Sequence, residues 1–562
     1  MFLIFVSLAN TEETVVVKNN SILELETKYP INDYTGTTDA DPFAGLFEEA
    51  QGLDEILNAI AIAQTDDRIK GISINGNFIL AGMSQTQAIR NALQEFKNGG
   101  KFIYAYGDIF LQKDYYLASV ADSIFMNPVG SLDFKGLAAE VLYYKSLQEK
   151  TGVKMEVIRH GKYKSAVEPY LEDEMSDSNR MQIKELLSSI WSSILNDIAL
   201  DRNIETADLN VIADTLGGRN PTYAQASGLI DGAIYQDEYE ALLKKATGIG
   251  DDDKLKYIGL SDYVLEANKK KRYKGKDKIA IIYAQGEILY GEGGSNYIGQ
   301  GLINRALVRA REDSNVKAIV LRVNSPGGSA LTSDIIWREV ELTKKEKPVI
   351  VSMGDVAASG GYYIAVGADK IFAEPTTITG SIGVFGTIPN MSELAGNIGV
   401  NAEQVGTNKN SVDYSIFEPM TTNFRSVIKE SIETTYETFL SRVAVGRNIS
   451  IAKADSLAQG RVWSGTDAVQ LGLVDEIGGI DEAIAEAASM AGISTFGIRK
   501  YPKYKSNFEL FMEDLSGAKV RTKEFFLENE LGGEVFDVLK EVKAAMEQKG
   551  IQARMPFTLH IK

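Results

Sequence analysis

The chain has 562 residues with no cysteine and only two histidines, and its 59 basic and 77 acidic residues give a net charge of -18. Cysteine proteases, thiol redox enzymes and Cys-rich zinc modules are therefore excluded, and a His-rich metal site would need His160 and His560 together. Because phosphate binding needs clustered Lys and Arg, the negative charge argues against nucleic acid as the main partner.

The chain begins with an apolar run. Residues 1–9 read MFLIFVSLA and precede the polar sequence NTEET. A transmembrane helix needs about 20 apolar residues, so this run cannot cross a bilayer alone. Two interpretations fit it equally well: the stub of a trimmed membrane anchor, or an apolar end that packs on the protein body.

An internal repeat organises the rest of the sequence. The segment GDIFLQKDYYLASVADSIFMNP (107–128) aligns with GDVAASGGYYIAVGADKIFAEP (354–375), with identities such as Gly107 with Gly354 and Tyr115 with Tyr362. Further on, AQASGLID (224–231) matches AVQLGLVD (468–475). The chain therefore consists of two homologous halves.

Strands and helices alternate in each half. In the second half, 279–288, 318–323 and 349–353 are predicted strands, and apolar residues recur at helical spacing over 302–310. This alternation implies right-handed crossovers and a mainly parallel, buried sheet. The predicted fold class is therefore α/β.

The repeat also suggests the domain boundaries. We expect an N-terminal repeat over 15–266, a basic linker over 267–277 and a C-terminal repeat over 278–496. The linker is interpreted as a solvated segment because its charges lack any apolar period, and the alternative is a segment that binds nucleic acid. Residues 497–562 lie beyond the repeat, and their apolar residues predict a C-terminal helical extension that covers the core or a partner.

Two glycine-rich loops occur in the second half alone. NSPGGS (324–329) stands where the first half has NFILAG (77–82), and AASGG (357–361) places Ser359 where the first half has Gln112. Gly327 permits a backbone that aims N–H groups at a substrate carbonyl, as in an oxyanion hole. Ser359 follows a strand and opens a helix, so it is expected to be exposed to substrate, with the N–H of Gly360 beside the same oxygen. The alternative for Ser-Gly-Gly is an ordinary helix cap.

A serine nucleophile needs a base, and the segment RHGKYKSAVEP (159–169) offers candidates. It contains His160, the only histidine away from the C-terminus, together with Lys162 and Lys164. A lysine can act as base if burial lowers its pKa from about 10.4 towards neutrality. Lys164 has small and apolar neighbours that could shield an amine. The alternative is that both lysines lie on the surface.

Five motifs together resemble one family. They are RVNSPGGS (322–329), AASGGYYIA (357–365), TGSIGVFG (379–386), YKSAVEPY (163–170) and GRVWSGTDAVQLGLVD (460–475). In their order along the chain they resemble the signal peptide peptidase A family, peptidase family S49, in its long bacterial form with two fused repeats. The resemblance implies a ClpP/crotonase-like fold of ββα repeats duplicated in tandem, and a serine endopeptidase with a Ser/Lys dyad.

The resemblance also implies a role for single residues. Ser359 corresponds to the nucleophile, Lys164 to the general base, and Ser381 to a serine that orients the lysine. The N–H groups of Gly327 and Gly360 correspond to the oxyanion hole. Lys409, in GTNKNSVDY (406–414), competes as base because short single-repeat relatives carry their lysine at the equivalent place.

The family further implies a setting for the enzyme. Its members cut cleaved signal peptides and other apolar peptides at the membrane surface, without a metal or other cofactor. Residues 1–14 would be the remnant of an N-terminal anchor in the bacterial inner membrane, with the catalytic part on the periplasmic side. A homo-oligomer, a tetramer, is implied as well. The alternatives are a crotonase-type acyl-CoA hydratase or isomerase, and a membrane-linked scaffold with a decayed site.

Overall fold

A computed structural model describes residues 16–26, 29–36, 51–76, 78–270, 272–412, 414–504 and 551–555. The apolar run 1–9 and the predicted helices of the extension lie outside the described residues. Within the described ranges, none of the helices combines the length and the apolar character that a bilayer span requires.

Strands and helices alternate along the whole described chain. The strands are β1 (Ser21–Leu25), β2 (Ile31–Asn32), β3 (Gln51–Gly52), β4 (Ile69–Asn75), β5 (Phe102–Phe110), β6 (Ser123–Leu132), β7 (Lys154–His160), β8 (Gly232–Ala233), β9 (Lys256–Gly259), β10 (Lys278–Gln285), β11 (Glu287–Ile288), β12 (Tyr297–Ile298), β13 (Val316–Ser325), β14 (Gly327–Ser329), β15 (Val349–Ala358), β16 (Lys370–Ala373), β17 (Ile378–Gly380), β18 (Val384–Asn390), β19 (Val462–Ser464), β20 (Glu476–Ile477), β21 (Gly497–Tyr501) and β22 (Ile551–Arg554).

The helices connect these strands. They are α1 (Leu53–Thr65), α2 (Met83–Asn98), α3 (Gln112–Ala118), α4 (Lys145–Thr151), α5 (Glu168–Leu171), α6 (Asp177–Arg202), α7 (Thr206–Asp214), α8 (Pro221–Ala226), α9 (Gln236–Thr247), α10 (Leu260–Asn268), α11 (Gln300–Glu312), α12 (Ala330–Lys344), α13 (Gly360–Ala365), α14 (Ser392–Asn397), α15 (Thr422–Gly446), α16 (Ile451–Leu457), α17 (Gly465–Gln470) and α18 (Ile480–Met490).

Each half is built on a largely parallel sheet. In the first half the strand order is β8-β6-β5-β4-β1-β9, and every neighbouring pair is parallel. In the second half the order is β19-β17-β15-β13-β10-β21, with β16 and β20 paired beside β15. Strands β10 and β13 are rich in Ile, Val and Ala and almost wholly buried, as strands covered on both faces are. The predicted α/β class is therefore observed in both halves.

The sheet of the second half extends past the predicted end of the repeat. Strand β21 lies in the predicted extension and pairs in parallel with β10, from Lys278 with Gly497 to Ile282 with Tyr501. Helix α10 ends at Asn268, just inside the predicted linker, and β10 begins at Lys278. The described residues of the extension thus include two strands, β21 and β22.

A third sheet combines strands from both halves. Its order is β12-β11-β14-β22-β18-β7. Strand β7 belongs to the first half in sequence, yet it pairs antiparallel with β18 of the second half, from His160 with Val384 to Lys154 with Asn390. This pairing carries the segment after β7, which contains Lys164, towards the loops of the second half.

Candidate active site

Ser359 lies between β15 and α13 with a backbone that serine rarely adopts. Its φ is 55° and its ψ is -114°, a strained conformation of the kind that clusters at active sites. The N–H of Ser359 donates to the Gly380 carbonyl at 2.8 Å, and its own carbonyl accepts from Tyr363 N at 2.8 Å. The surrounding hydrogen bonds therefore hold the strained turn in place. Ser359 is fully buried, whereas the sequence suggested an exposed side chain.

The side chain of Lys164 reaches this serine from the first half. Its Nζ lies 2.9 Å from Ser359 Oγ, 3.0 Å from Ser381 Oγ and 3.1 Å from the Ser381 carbonyl. Lys164 is fully buried, and burial lowers the pKa of its amine well below the usual value, because a buried ammonium loses its hydration. A neutral amine has two N–H groups and one lone pair. The two oxygens of Ser381 accept the N–H groups, which leaves the lone pair for the Ser359 hydroxyl.

Two glycines leave room for the aliphatic part of Lys164. A Cβ on Gly460 would lie 2.6 Å from Lys164 Cβ, and one on Gly383 would lie 3.2 Å from Lys164 Cδ. Gly460 also has a φ of 80°, which favours glycine. Both glycines occur in the family-like motifs, but the sequence alone did not assign them to the lysine pocket.

Ser381 is fixed by the backbone around it. It follows β17 with a φ of 52°, and its N–H donates to the Arg461 carbonyl at 2.6 Å. Strand β17 pairs with β15 on one side and with β19 on the other. The serine that contacts the amine is therefore anchored to β15, the strand that ends just before Ser359.

The two predicted oxyanion glycines lie next to each other. Gly327 has a φ of 97°, and a Cβ on it would lie 2.7 Å from Gly360 N. Gly360 is the first residue of α13, where backbone N–H groups lack helical partners. The N–H of Gly327 donates to Ser325 Oγ at 3.2 Å. The structure thus brings Gly327 and Gly360 together at the turn that carries Ser359.

The corresponding place in the first half is filled by side chains. Gln112 stands where the second half has Ser359, and its amide bonds to the loop opposite, with Nε2 2.9 Å from the Gly136 carbonyl and Oε1 2.9 Å from Gly136 N. Asp114, at the position of Gly361, accepts from Ile79 N at 2.7 Å. The first half therefore has neither a serine at this position nor an open loop.

Lys409 lies elsewhere on the surface. It is exposed in the irregular segment between α14 and α15. The amine within hydrogen-bonding distance of Ser359 is that of Lys164.

Residues 551–555, the last that the structure describes, lie beside this site, although no chemistry was expected in the extension. Strand β22 pairs antiparallel with β14 on one side and with β18 on the other. The N–H of Met555 donates to the Pro326 carbonyl at 2.6 Å. A run of four residues carries no periodic signal that could have predicted this contact.

Comparison with known proteins agrees with this architecture. The sequence matches peptidase family S49 twice, over residues 95–250 and 341–494, which confirms the duplicated fold. It is 39% identical over 446 residues to Protease 4 of Haemophilus influenzae. This matched region covers 78% of this chain and 72% of that protein.

Two further relatives widen the comparison. The chain is 31% identical over 531 residues to the chloroplastic serine protease SPPA of Arabidopsis thaliana, covering 92% of this chain and 76% of that protein. It is also 39% identical over 182 residues to the putative signal peptide peptidase SppA of Enterococcus faecium, covering 32% of this chain and 52% of that protein. The family model matches both repeats, and Protease 4 is 39% identical over most of the chain. The chain therefore belongs to peptidase family S49 and is a serine protease.

Proposed function

We propose that Ser359 is the nucleophile and Lys164 the general base of this protease. The observation that carries the proposal is the 2.9 Å distance between Lys164 Nζ and Ser359 Oγ in a fully buried setting. Burial lowers the pKa of the amine and so favours its neutral form, which is able to accept the serine proton.

The reaction follows from these positions. Lys164 takes the proton of Ser359, and the Oγ attacks the carbonyl carbon of the peptide bond. The N–H of Gly360, joined by that of Gly327 when it leaves Ser325 Oγ, stabilises the oxyanion. The Lys164 ammonium then protonates the leaving amine, and water hydrolyses the acyl-enzyme. Ser381 acts as a positioning residue because it accepts the two N–H groups of the amine.

We further propose that the substrates are cleaved signal peptides and other apolar peptides. The name of the Enterococcus faecium relative supports this substrate class. We also propose attachment to the bacterial inner membrane, with the site on the periplasmic side; the apolar run 1–9 supports the attachment alone. In this proposal the enzyme works as a homo-oligomer, a tetramer, and needs no cofactor.

Three variants test the dyad. Hydrolysis of an apolar signal peptide is expected to fall at least about 10³-fold in Ser359→Ala and in Lys164→Ala, because each removes one partner of the proton transfer. Lys409→Ala, the matched loss of an exposed lysine, should retain wild-type activity. A fluorophosphonate should label wild type and Lys409→Ala but not Ser359→Ala.

The pH dependence gives a second readout. Activity should rise with pH through the lowered pKa of Lys164, since only the neutral amine acts as base. If Lys164→Ala stays active while Lys409→Ala is inactive, the assignment of the base is wrong.

A signal peptide with lysines in its apolar stretch should be hydrolysed more slowly than the parent peptide, and equal rates would contradict the substrate class.

A further inference from the structure

Helix α6 holds the segment that carries Lys164 from one side. Gln182 of this helix reaches the backbone just before the lysine, where its Nε2 donates to the Tyr163 carbonyl at 3.1 Å. The same nitrogen lies 3.0 Å from Ser165 Oγ, just after the lysine. One amide group therefore contacts both chain neighbours of Lys164.

The second half holds the same segment from the other side. The N–H of Tyr163 donates to the Gln459 carbonyl at 2.8 Å. A Cβ on Gly161 would lie 2.6 Å from the oxygen of that carbonyl, so the chain passes close to Gln459 before it reaches Lys164. Tyr163 is thus bound at its N–H by the second half and at its carbonyl by α6, and the backbone that enters Lys164 is fixed at two points.

The amide of Gln182 is buried and has a defined orientation. The Tyr163 carbonyl and Asn179 Oδ1, which lies 3.0 Å from Nε2, accept hydrogen bonds but cannot donate them, so the NH₂ group faces both. Its Oε1 has no hydrogen-bond partner among the described residues. A buried oxygen without a partner lowers stability, and an apolar side chain of similar size would avoid this loss. The amide at this position therefore contributes through its N–H groups.

The chain that follows Lys164 returns to the same helix. Glu168, at the start of α5, accepts a hydrogen bond from Asn179 Nδ2 at 2.7 Å. Glu168, Asn179 and Gln182 are all buried. Helix α6 therefore binds the lysine-bearing segment both before and after Lys164.

The same face of α6 is bound to the part of the second half that fixes Ser381. Glu185 pairs with Arg461, and Ser189 Oγ is hydrogen-bonded to the last residue of β19 at 2.7 Å. The Arg461 carbonyl in turn accepts from Ser381 N. Because Gln182, Glu185 and Ser189 are three and four residues apart, they lie on one face of the helix. One helix face thus contacts the lysine-bearing segment and the residue that anchors Ser381.

We infer that Gln182 is a positioning residue for Lys164, and that α6 holds the lysine amine at its place between Ser359 and Ser381. This inference rests on the proposed function of Ser359 and Lys164. Gln182 acts through the backbone on either side of the lysine and does not touch the reacting atoms. The geometry that it maintains is the 2.9 Å contact between Lys164 Nζ and Ser359 Oγ.

Several charged groups surround the lysine-bearing segment. They are Lys162 in the segment itself, Arg159 of β7, Glu168 of α5, and the Glu185–Arg461 pair between α6 and the second half. The lowered pKa of the Lys164 amine nevertheless comes from its burial. A looser segment would let water reach the amine, and its pKa would then rise towards the usual value.

Gln182→Met tests the inference because it keeps an unbranched side chain of similar size and removes the amide. For hydrolysis of an apolar signal peptide, kcat should fall about tenfold or more while KM stays within about twofold. The midpoint of the rise of kcat with pH should move upward by about one pH unit, since the amine becomes more hydrated. Counting active sites with a fluorophosphonate corrects kcat for any loss of folded enzyme.

Gln236→Met is the matched control, since Gln236 is an exposed glutamine at the start of α9 in the same half. It should keep the wild-type kcat and midpoint. A wild-type kcat in Gln182→Met would overturn the inference. A lower kcat with an unchanged midpoint would also overturn it, because the amide would then support the fold without setting the environment of the amine.

Gln182→Glu provides the same test if Gln182→Met does not fold. The carboxylate keeps the shape of the side chain but replaces the donor with an acceptor, so kcat should fall and the midpoint should again move upward. An unchanged midpoint in this variant would contradict the inference.

Lys164→Ala separates this inference from the proposed function. If Lys164→Ala is inactive while Gln182→Met matches wild type in kcat and midpoint, the inference fails and the proposed function stands. If Lys164→Ala remains active, the proposed function fails, and the inference about Gln182 fails with it.

Discussion

The amine of Lys164 has three oxygens at hydrogen-bonding distance, and two of them belong to Ser381. The carbonyl of Ser381 is fixed by the backbone, whereas its hydroxyl depends on the side chain. The hydroxyl therefore determines which way the lone pair of a neutral amine points.

We predict that Ser381→Ala lowers kcat about tenfold and leaves KM nearly unchanged. The variant loses one hydrogen bond to the amine, worth about 1 to 1.5 kcal/mol, while the strands around the site stay in place. Steady-state kinetics measure the effect. Ser192→Ala, which removes an exposed serine on α6, serves as the matched control and should behave as wild type. An unchanged kcat in Ser381→Ala would contradict the positioning role.

At the residue scale, much of the site could be predicted because its residue types are distinctive. Ser359 stands out since the first half has Gln112 at the same place, and family motifs identify Lys164. Membership of a peptidase family also favours peptide hydrolysis over acyl-CoA chemistry. The burial of Ser359 could not be predicted, because it depends on packing between segments far apart in the sequence. The same holds for Gly460, whose lack of a side chain matters only beside Lys164.

At the scale of elements, the position of Lys164 depends on strand β7. Glu156 in this strand anchors it to the second half: its Oε1 accepts from Asn390 Nδ2 at 2.8 Å and from Met420 N at 3.0 Å, and its Oε2 pairs with Arg425 at 3.1 Å. One carboxylate therefore binds three residues of the second half and so fixes β7 to that half.

We predict that Glu156→Ala lowers kcat by about tenfold or more. Loss of its hydrogen bonds frees β7 to shift relative to β18, and small displacements of a base are costly in rate. Glu174→Ala, a change at an exposed glutamate of the same half, is the control. Peptide hydrolysis and circular dichroism of both variants measure the effect. Equal activities with equal folding would show that β7 is held without this carboxylate.

Local patterns predicted the strands but not all of their partners. The strands expected over 279–288, 318–323 and 349–353 appear as β10 with β11, β13 and β15, since their apolar residues signal burial. The pairing of β7 with β18 joins segments from different halves, and a local pattern contains no information about such a partner. The placement of β22 was missed for the same reason.

At the scale of the whole molecule, buried charges connect the two halves. Asp33, from the first half, pairs with Arg322 of β13 at 2.9 Å. Asp355 accepts from Gln85 N of the first half at 3.1 Å. Burial, together with the nearby charge of Asp33, raises the pKa of Asp355 to about 6. The contact between the halves therefore contains a carboxyl group that titrates in mildly acidic solution.

We predict that Asp355→Asn becomes more stable relative to wild type as the pH rises from about 4 to about 6. In this window the folded wild type binds more protons than the unfolded chain, so its stability falls with rising pH by about 1.4 kcal/mol per unit, or about 3 kcal/mol in total. The amide side chain of the variant does not titrate, so the variant does not show this fall in stability.

Thermal melts of both proteins at several pH values measure the difference. Asp108→Asn, at the homologous and exposed position of the first half, should follow the wild-type curve. Parallel curves for wild type and Asp355→Asn would contradict the raised pKa.

The pairing of β7, from the first half, with β18 of the second half has a consequence during synthesis on the ribosome. Lys164 is made first, and Ser359 follows 195 residues later. At about 5 to 20 residues per second, roughly 10 to 40 seconds pass before the second residue exists. The two groups then meet only after β18 has been translated and has paired with β7. A chain that terminates before Ser359 therefore has no complete Ser359–Lys164 pair, and a nascent chain acquires the pair only once the second half has been made.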